Sequence, residues 1–478
     1  MEILHISAEC YPAAKAGGLG DVVGALPKYL NKVGEDTAVI MPKHSTKWLN
    51  AQEYREIIRG TVRLGTSYAQ YSVEECLNKT LGFDLYVVNA PHYFDRSNLY
   101  TDERGVGFND DVERWLTFQQ AVLHWVMGMI DKPQVLHCHD YHTGLIPFML
   151  KCCPEYSILE DMPTVFTIHN GEYQGAFSWQ KMHLLPFFIQ ETSGLLDWNG
   201  TINPMACAVK CCSKLTTVSP SYMEELRQNS GGLEWLMNNE THKSGGVLNG
   251  IDNQVWNPAT DPMLDHKLGK DFKKYKAANK KAICEKFGIR NDVPVFTFIG
   301  RIVGEKGADL LPSAMSRILF ETPNAAFIVL GTGDPSVSDA LRHIAYNYNN
   351  NCGVALEYNE TLAHQLYAGS DFLLMPSRVE PCGLNQMYAL RYGTIPIVRA
   401  VGGLKDTVVD YASPQGGQGI CFTHVSVDDC VHAIHRALRL YWDTPPLFSA
   451  LQQHITTIDH SWEQSALAYA GIYGDIGG

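Results

Sequence analysis

The sequence has no Cys-x-x-Cys pair, no excess of positive charge and no apolar run of membrane length, and each absence removes a class of protein. Its thirteen cysteines are odd in number and include two adjacent pairs, Cys152–Cys153 and Cys211–Cys212, a usage that fits reduced thiols and not a disulfide framework. A cytoplasmic protein is therefore expected. Lys and Arg number 38 against 51 Asp and Glu, a formal charge of −13, and a surface of that sign repels nucleic acid and anionic lipid at long range. The longest mainly apolar stretches, such as "AVLHWVMGMI", fall well short of a bilayer span, and the opening "MEILHISAEC" has no basic segment of a secretion signal. No nucleic-acid or membrane partner is expected, and any anionic ligand has to be caught by a few local cations.

What is present suffices for two or three domains: 478 residues, 45% hydrophobic and 19% charged. Short apolar runs bounded by Gly, Asp or Pro recur at helix-length spacing, at 2–7, 37–42, 84–89, 135–140, 164–170 and 214–219. After the lysine-rich helical stretch "KDFKKYKAANKKAICEKFG" the pattern restarts, at 295–300, 325–331, 354–359, 372–377 and 394–400. Runs apolar on both faces and alternating with helices predict parallel sheets covered on each side, and the restart predicts two α/β domains joined near residue 250. The tail "SWEQSALAYAGIYGDI" reads as a helix whose destination the pattern does not give.

Chemistry is concentrated where these strands hand over to helices. "KAGGLGDVVGALP" (15–27) sets Gly17, Gly18 and Gly20 between a strand and a helix, an arrangement in which backbone N–H groups face an anion or a polar ligand. The spacing is neither that of a Walker A loop nor that of a dinucleotide fingerprint, since Gly24 falls one residue late. Lys15 adds a cation to this loop, and "IGRIVGEKGADLL" repeats the design with Arg301 and Lys306 among Gly300, Gly304 and Gly307. Two such loops suggest one cleft holding a diphosphate. His137, His139 and His142 invite a metal reading, but no second ligand cluster with zinc spacing accompanies them, so no metal is expected.

Taken together and in order, "KAGGLGDVVGALP", "HCHDYHTGLIP", "TIHNGEYQGAF", "TTVSPSY", "GGVLNGID…WNPATD", "GRIVGEKG", "EPCGLNQMYALRYGTIPIVR" and "GGLKDTV" resemble the bacterial and plastid glycogen/starch synthases over about residues 1–460. The resemblance implies the GT-B fold, with two Rossmann-like domains facing across a cleft. These would be an acceptor-side domain at 1–250, a nucleotide-sugar domain at 251–457, and a C-terminal helix at about 458–478 crossing back to the first. It implies retaining transfer of glucose from ADP-glucose to the non-reducing 4-OH of an α-1,4-glucan, with no cofactor beyond the nucleotide-sugar substrate. The alternatives are UDP-glucose or another acceptor on the same fold, or a non-catalytic glucan-binding homologue.

On that resemblance Arg301 and Lys306 bind the diphosphate and stabilise the leaving group. Glu380 holds sugar hydroxyls and supports charge at the anomeric carbon, with Ser377 and Cys382 in the same loop. The N–H groups of Gly383, Leu384 and Asn385 open a helix towards the β-phosphate. His169 and Asn170 line the sugar site, Asp140 and Tyr141 point to glucose or the acceptor, and Asn249 contacts the donor. In the opening turn, Lys15 faces phosphate, Gly17 and Gly18 face glucose through their backbone, and Asp21 either meets hydroxyls or caps its helix. Departures from the family pattern are Glu305, Asn385 and Val401, which put donor preference in question. No glycosidase-like carboxylate pair is evident, so the acceptor is expected to attack the face from which the diphosphate leaves.

Overall fold

The apolar runs become strands buried on both faces in the computed structural model, which describes residues 2–96 and 98–477. Met1 and Gly478, the outermost residues of the expected domains, lie outside the described residues. By its internal contacts the chain divides into two units, Met1–Asn249 with Trp462–Gly478, and Gly250–Ser461.

The first unit is built on a nine-stranded sheet. Its strands run in the order Ser244–Gly246, Lys214–Thr217, Thr164–Ile168, Val135–His139, Ile3–Ile6, Thr37–Pro42, Asp84–Asn89, Ser67–Cys76 and Tyr54–Leu64. The first seven are parallel and the last two antiparallel. The second unit carries a six-stranded, all-parallel sheet ordered Cys352–Ala355, Ala326–Leu330, Val295–Ile299, Phe372–Met375, Ile395–Arg399 and Ile420–Phe422.

In each sheet the order of the parallel strands reverses beside the first strand of the unit. Ile3–Ile6 lies between Thr37–Pro42 and Val135–His139, and Val295–Ile299 lies between Ala326–Leu330 and Phe372–Met375. Loops leaving the carboxyl ends of strands that flank such a reversal diverge to opposite faces and open a crevice, the usual ligand position in open α/β sheets. The loops that start at residues 7, 140, 300 and 376 are those loops.

Two elements differ from the sequence expectation. The hairpin of Tyr54–Leu64 and Ser67–Cys76 forms no apolar run: Tyr54–Leu64 lies at the sheet edge, is rich in Arg and Glu and meets water, and Ser67–Cys76 beside it is interrupted by Gln, Ser and Glu. Its signal was the two-residue turn Gly65-Thr66, with Gly65 at φ 63°, between residues paired Leu64 to Ser67. The strand expected at 354–359 runs instead over Cys352–Ala355, because Asn359 already caps the helix Glu360–Gly369 through the N–H of Leu362 at 2.9 Å.

The C-terminal tail is the helix Trp462–Gly477. Its Trp462, Ala466, Tyr469 and Tyr473 pack with Val22, Leu26, Tyr29 and Leu30 of the helix Gly18–Val33, so the helix that carries the glycine-rich turn is clamped from behind. All thirteen cysteines are unpaired and twelve are buried. Among the described residues no helix is long and apolar enough to cross a membrane.

Candidate active site

In the second unit, two loops leave neighbouring strand ends and are stitched together. The backbone N–H of Arg378 donates to the carbonyl of Glu305 at 2.8 Å, and Arg378 Nη1 donates to the Gly304 carbonyl. Across this seam Lys306 Nζ meets both carboxylate oxygens of Glu380, at 2.7 and 2.8 Å, while Ser377 Oγ donates to Glu380 Oε2 at 3.0 Å. The Glu380 side chain is only 8% exposed, so these partners carry most of its charge compensation. Arg301 stands apart, 60% exposed, with its guanidinium 3.2 Å from Glu305.

The turn that follows is held by glycines for steric reasons. A Cβ on Gly402 would sit 2.1 Å from the Glu380 carbonyl oxygen, and one on Gly403 would sit 2.2 Å from that of Cys382. The "VGGL" segment thus presses against the "EPCG" loop, and the Gly403 N–H donates to Glu380 O at 3.1 Å. Cys382 is buried beneath this contact. Gly383, at φ 73°, leads into the helix Asn385–Tyr392. The Asn385 side chain is turned to its own scaffold, Nδ2 donating to the Ile299 carbonyl at 2.7 Å. The departure at Asn385 therefore ties the helix start to the strand end that also launches Arg301, while Val401 is a buried residue without a capping oxygen. Arg399 is a residue the sequence reading missed: its Nε donates to Ser377 O at 2.6 Å and its Nη2 to Arg378 O at 2.5 Å, bracing the Glu380 loop from below.

In the first unit the opening turn is pinned by Glu9, also missed. Its Oε2 accepts from the N–H groups of Ala16 and Gly17 at 2.6 and 3.0 Å, and its Oε1 accepts from Tyr100 Oη at 2.6 Å. An acid shortly after the first apolar run and ahead of the glycine-rich turn was the available signal. Lys15 Nζ lies 2.6 Å from Asp21 Oδ1, so these two residues answer each other's charge. Gly17 and Gly18 are free of steric need: a Cβ on either would meet nothing within 4 Å, and neither has positive φ. Gly24, by contrast, packs against Tyr11, whose carbonyl oxygen a Cβ would approach to 2.5 Å.

Asp140 and His169 end adjacent strands and are joined, the His169 N–H donating to Asp140 Oδ1 at 2.7 Å. Asp140 has φ 56°, a left-handed value that few residues other than glycine adopt. Burial pushes its carboxyl up to about 7, with the Glu9 charge adding to the effect and the N–H groups of His169 and Asn170 opposing it. The Asn170 side chain closes its own loop on the N–H of Glu172 at 3.0 Å. Tyr141 packs on Gly175 and lines an apolar cavity with Trp115, Leu145 and Phe177. Asn249, at the end of this unit, is buried with its Oδ1 unpaired.

The histidines nearby form a hydrogen-bonded core. His139 bonds His169 at 2.9 Å and His5 at 3.0 Å, while His137 bonds Tyr473 at 2.7 Å and Thr167 at 2.6 Å. Among the described residues the trio whose nitrogens converge, within 4.8 Å, is His5, His137 and His139, a different set from the three read in the sequence. Both nitrogens of His137 and of His139 are taken by these partners. Burial lowers His5 and His169 to about 3, and His137 and His139 well below their ordinary value, so the rings are neutral at physiological pH.

Asp140 makes a pH-dependent prediction. Its folded carboxyl titrates near 7 against an ordinary 3.8, so the folded state holds the proton more tightly than the unfolded chain does. The contribution of the neutral acid is fully present below about pH 4, is lost as pH rises towards 7, and stays lost above. The unfolding free energy of wild type minus that of Asp140→Asn is therefore expected to fall by a few kcal/mol over this window and then level off. Urea unfolding of both proteins at a series of pH values checks it; a difference independent of pH rejects it.

Residues 2–239 match the family described as the starch synthase catalytic domain, and residues 279–445 match glycosyl transferases group 1. The glycogen synthase of Flavobacterium johnsoniae is 46% identical over 99% of this chain and 98% of its own. That of Bacillus cereus (strain B4264) is 37% identical over 99% of each. Among solved structures, the catalytic domain of starch synthase IV from Arabidopsis thaliana, bound to ADP and acarbose, superposes with a TM-score of 0.88 at 30% identity, covering 100% of this chain and 99% of that one. Sucrose-phosphate synthase from Thermosynechococcus elongatus, at 16% identity and a TM-score of 0.61 over 99% of this chain and 98% of that one, shares the fold.

Proposed function

The chain belongs to the glycogen/starch synthase family of glycosyltransferases, and from that premise we propose that it transfers glucose from ADP-glucose to the non-reducing 4-OH of an α-1,4-glucan with retention of configuration. The observation that carries this reading is the Lys306–Glu380–Ser377 constellation at the strand-order reversal of the second unit, followed at once by a helix N-terminus.

In this reading Arg301, Lys306 and the N–H groups of Gly383, Leu384 and Asn385 take the diphosphate, where a cation and a helix dipole both favour negative charge. Glu380, held in place by Lys306 and Ser377, faces the sugar and offsets positive charge at its anomeric carbon. His169, Asp140, Asn170 and Asn249 hold the hexose, with the opening turn of Lys15, Gly17, Gly18 and Asp21. The C1–O bond to the diphosphate breaks as the acceptor O4 bonds to C1 from the same face, and the O4 proton passes to the departing phosphate oxygen. Lys306, poised between Glu380 and the leaving group, stabilises the charge that develops there. The choice of ADP-glucose is supported by the ADP carried by the Arabidopsis relative. A cytoplasmic setting is supported by the thirteen unpaired thiols.

The test is incorporation of label from radioactive ADP-glucose and from UDP-glucose into glycogen by the purified protein. Label from ADP-glucose is expected; label from UDP-glucose alone overturns the donor, and none from either overturns the reaction.

The open space at Gly18 yields a second expectation. Because its added methyl meets nothing and its conformation suits any residue, Gly18→Ala should unfold no more easily than wild type, and about 0.5–1 kcal/mol less easily by unfolded-state entropy. Yet kcat/KM for the nucleotide sugar should fall at least tenfold, because the space is kept for a ligand. Urea titration and initial rates measure the two arms, and an unchanged kcat/KM removes the ligand from this turn.

A further inference from the structure

We propose that Glu305 is an internal competitor of the diphosphate: its carboxylate holds the Arg301 guanidinium while no nucleotide is bound and has to release it when the donor enters, a role that rests on Arg301 binding the diphosphate as proposed above. Arg301 Nη2 donates to Glu305 Oε2 at 3.2 Å, and among the described residues each is the other's only side-chain partner.

The two side chains can part without moving the chain that carries them. Arg301 lies between Gly300, whose N–H donates to the Leu330 carbonyl at 3.0 Å, and Ile302, whose N–H donates to that of Thr332 at 2.7 Å. Glu305 is anchored through its own carbonyl, which accepts from the N–H groups of Arg378 and Val379 at 2.8 and 3.4 Å. Rotamer changes alone therefore open the pair. The next residue shows the opposite case: Lys306 meets both oxygens of a Glu380 carboxylate that is 8% exposed and also held by Ser377. Arg301 uses one oxygen of Glu305 and is 60% exposed, so it is this pair that water and a ligand can separate.

In charge the turn answers itself, since Glu305 and Glu380 offset Arg301 and Lys306. An anion that takes Arg301 has to displace a carboxylate. A diphosphate does so because it carries more than one negative charge, because its oxygens fit the guanidinium fork, and because Lys306 and the N–H groups of 383–385 hold it at further points. Glu305 is then left beside a ligand of its own sign, which weakens the grip. An exposed pair of this kind shifts an equilibrium by up to about fivefold, and the repulsion adds to it. The substitution of an acid at 305 thus acts on the diphosphate, which every nucleotide sugar shares, and hastens release of the nucleoside diphosphate product.

The experiment is calorimetric titration of ADP into the full-length wild type, Glu305→Gln, Arg301→Gln and the double variant. Glutamine keeps the size of Glu305 and the backbone bonds of that residue. Glu305→Gln is expected to bind ADP about three- to tenfold more tightly and to release it correspondingly more slowly in rapid-mixing displacement. Arg301→Gln is expected to bind more weakly, and in the double variant the gain from Glu305→Gln should vanish. Equal or weaker binding by Glu305→Gln, or the same gain with and without the guanidinium, overturns the competitor while the proposed reaction stands. Wild-type affinity in Arg301→Gln removes Arg301 from the diphosphate, and the competitor falls with that assignment. UDP is titrated alongside; if it binds and ADP does not, the donor choice falls and the same comparisons made with UDP decide the role of Glu305.

Discussion

Lys306→Ala is expected to lower kcat about a thousandfold, near the upper end of what removing one group that stabilises transition-state charge does elsewhere. The same substitution should reduce stability, for a separate reason. Lys306 touches both oxygens of a carboxylate whose side chain is 8% exposed, and its removal leaves that charge with one neutral donor, Ser377. Stripping one partner from a fully buried pair costs about 3–5 kcal/mol. With Lys306 itself 23% exposed, solvent screening reduces that to about 1–3 kcal/mol. The two effects separate in a second variant. Adding Glu380→Gln to Lys306→Ala removes the uncompensated charge, so urea unfolding should return towards wild type while turnover stays lost. Recovery of both together would mean that Lys306 acts only as a structural counter-ion, and normal turnover in Lys306→Ala alone would remove it from the chemistry.

The second large effect is expected from a residue with no side chain. Gly307 has φ 66°, and a Cβ there would lie 2.0 Å from the carbonyl oxygen of Pro376. An alanine would bear about 1–2 kcal/mol for the left-handed conformation alone. The overlap with backbone cannot be relieved by a rotamer, so the strand-end loop at 376–380 has to move. That movement parts Lys306 from Glu380, and displacements of about 1 Å in such constellations cost roughly a hundredfold in rate. Gly307→Ala should therefore lose at least about 3 kcal/mol of stability and at least a hundredfold in kcat/KM. Gly304→Ala, three residues earlier, is the control: its Cβ would meet nothing within 4 Å and its φ is not left-handed. Similar behaviour of the two variants would show that the contact with Pro376 does not hold the loops in register.

Much of this arrangement was legible in the chain. The strands Ile3–Ile6, Thr37–Pro42, Val295–Ile299 and Phe372–Met375 stand where the apolar runs placed them, because fully buried parallel strands leave an unmistakable mark. Tyr54–Leu64, at the sheet edge, and Ser67–Cys76, beside it, interrupt their apolar residues with Arg, Glu, Gln and Ser, which is why they escaped notice. Lys15, Arg301 and Lys306 were marked by glycine-rich turns at strand ends, a local feature, whereas Glu380, His169, Asp140 and Asn249 were named through the family resemblance. Glu9 and Arg399 were found by neither route, since each acts through backbone groups that lie next to it only in the folded chain. That the Asn385 side-chain amide meets the carbonyl of Ile299, 86 residues away, could not be read from its neighbours.

The sequence by itself determined the two parallel α/β units, the glycines at their turns and the cations and acids that follow their strands, because periodicity, turn geometry and charge are properties of neighbouring residues. Only the tertiary structure decided that Lys306 meets Glu380, that Glu9 grips the opening turn, and that the Arg301–Glu305 pair lies open to water while the Lys306–Glu380 pair does not. Strands buried on both faces carry the same apolar pattern whichever strand lies beside them. Which loops emerge together is therefore set by packing across the sheet, and a linear pattern holds no record of it.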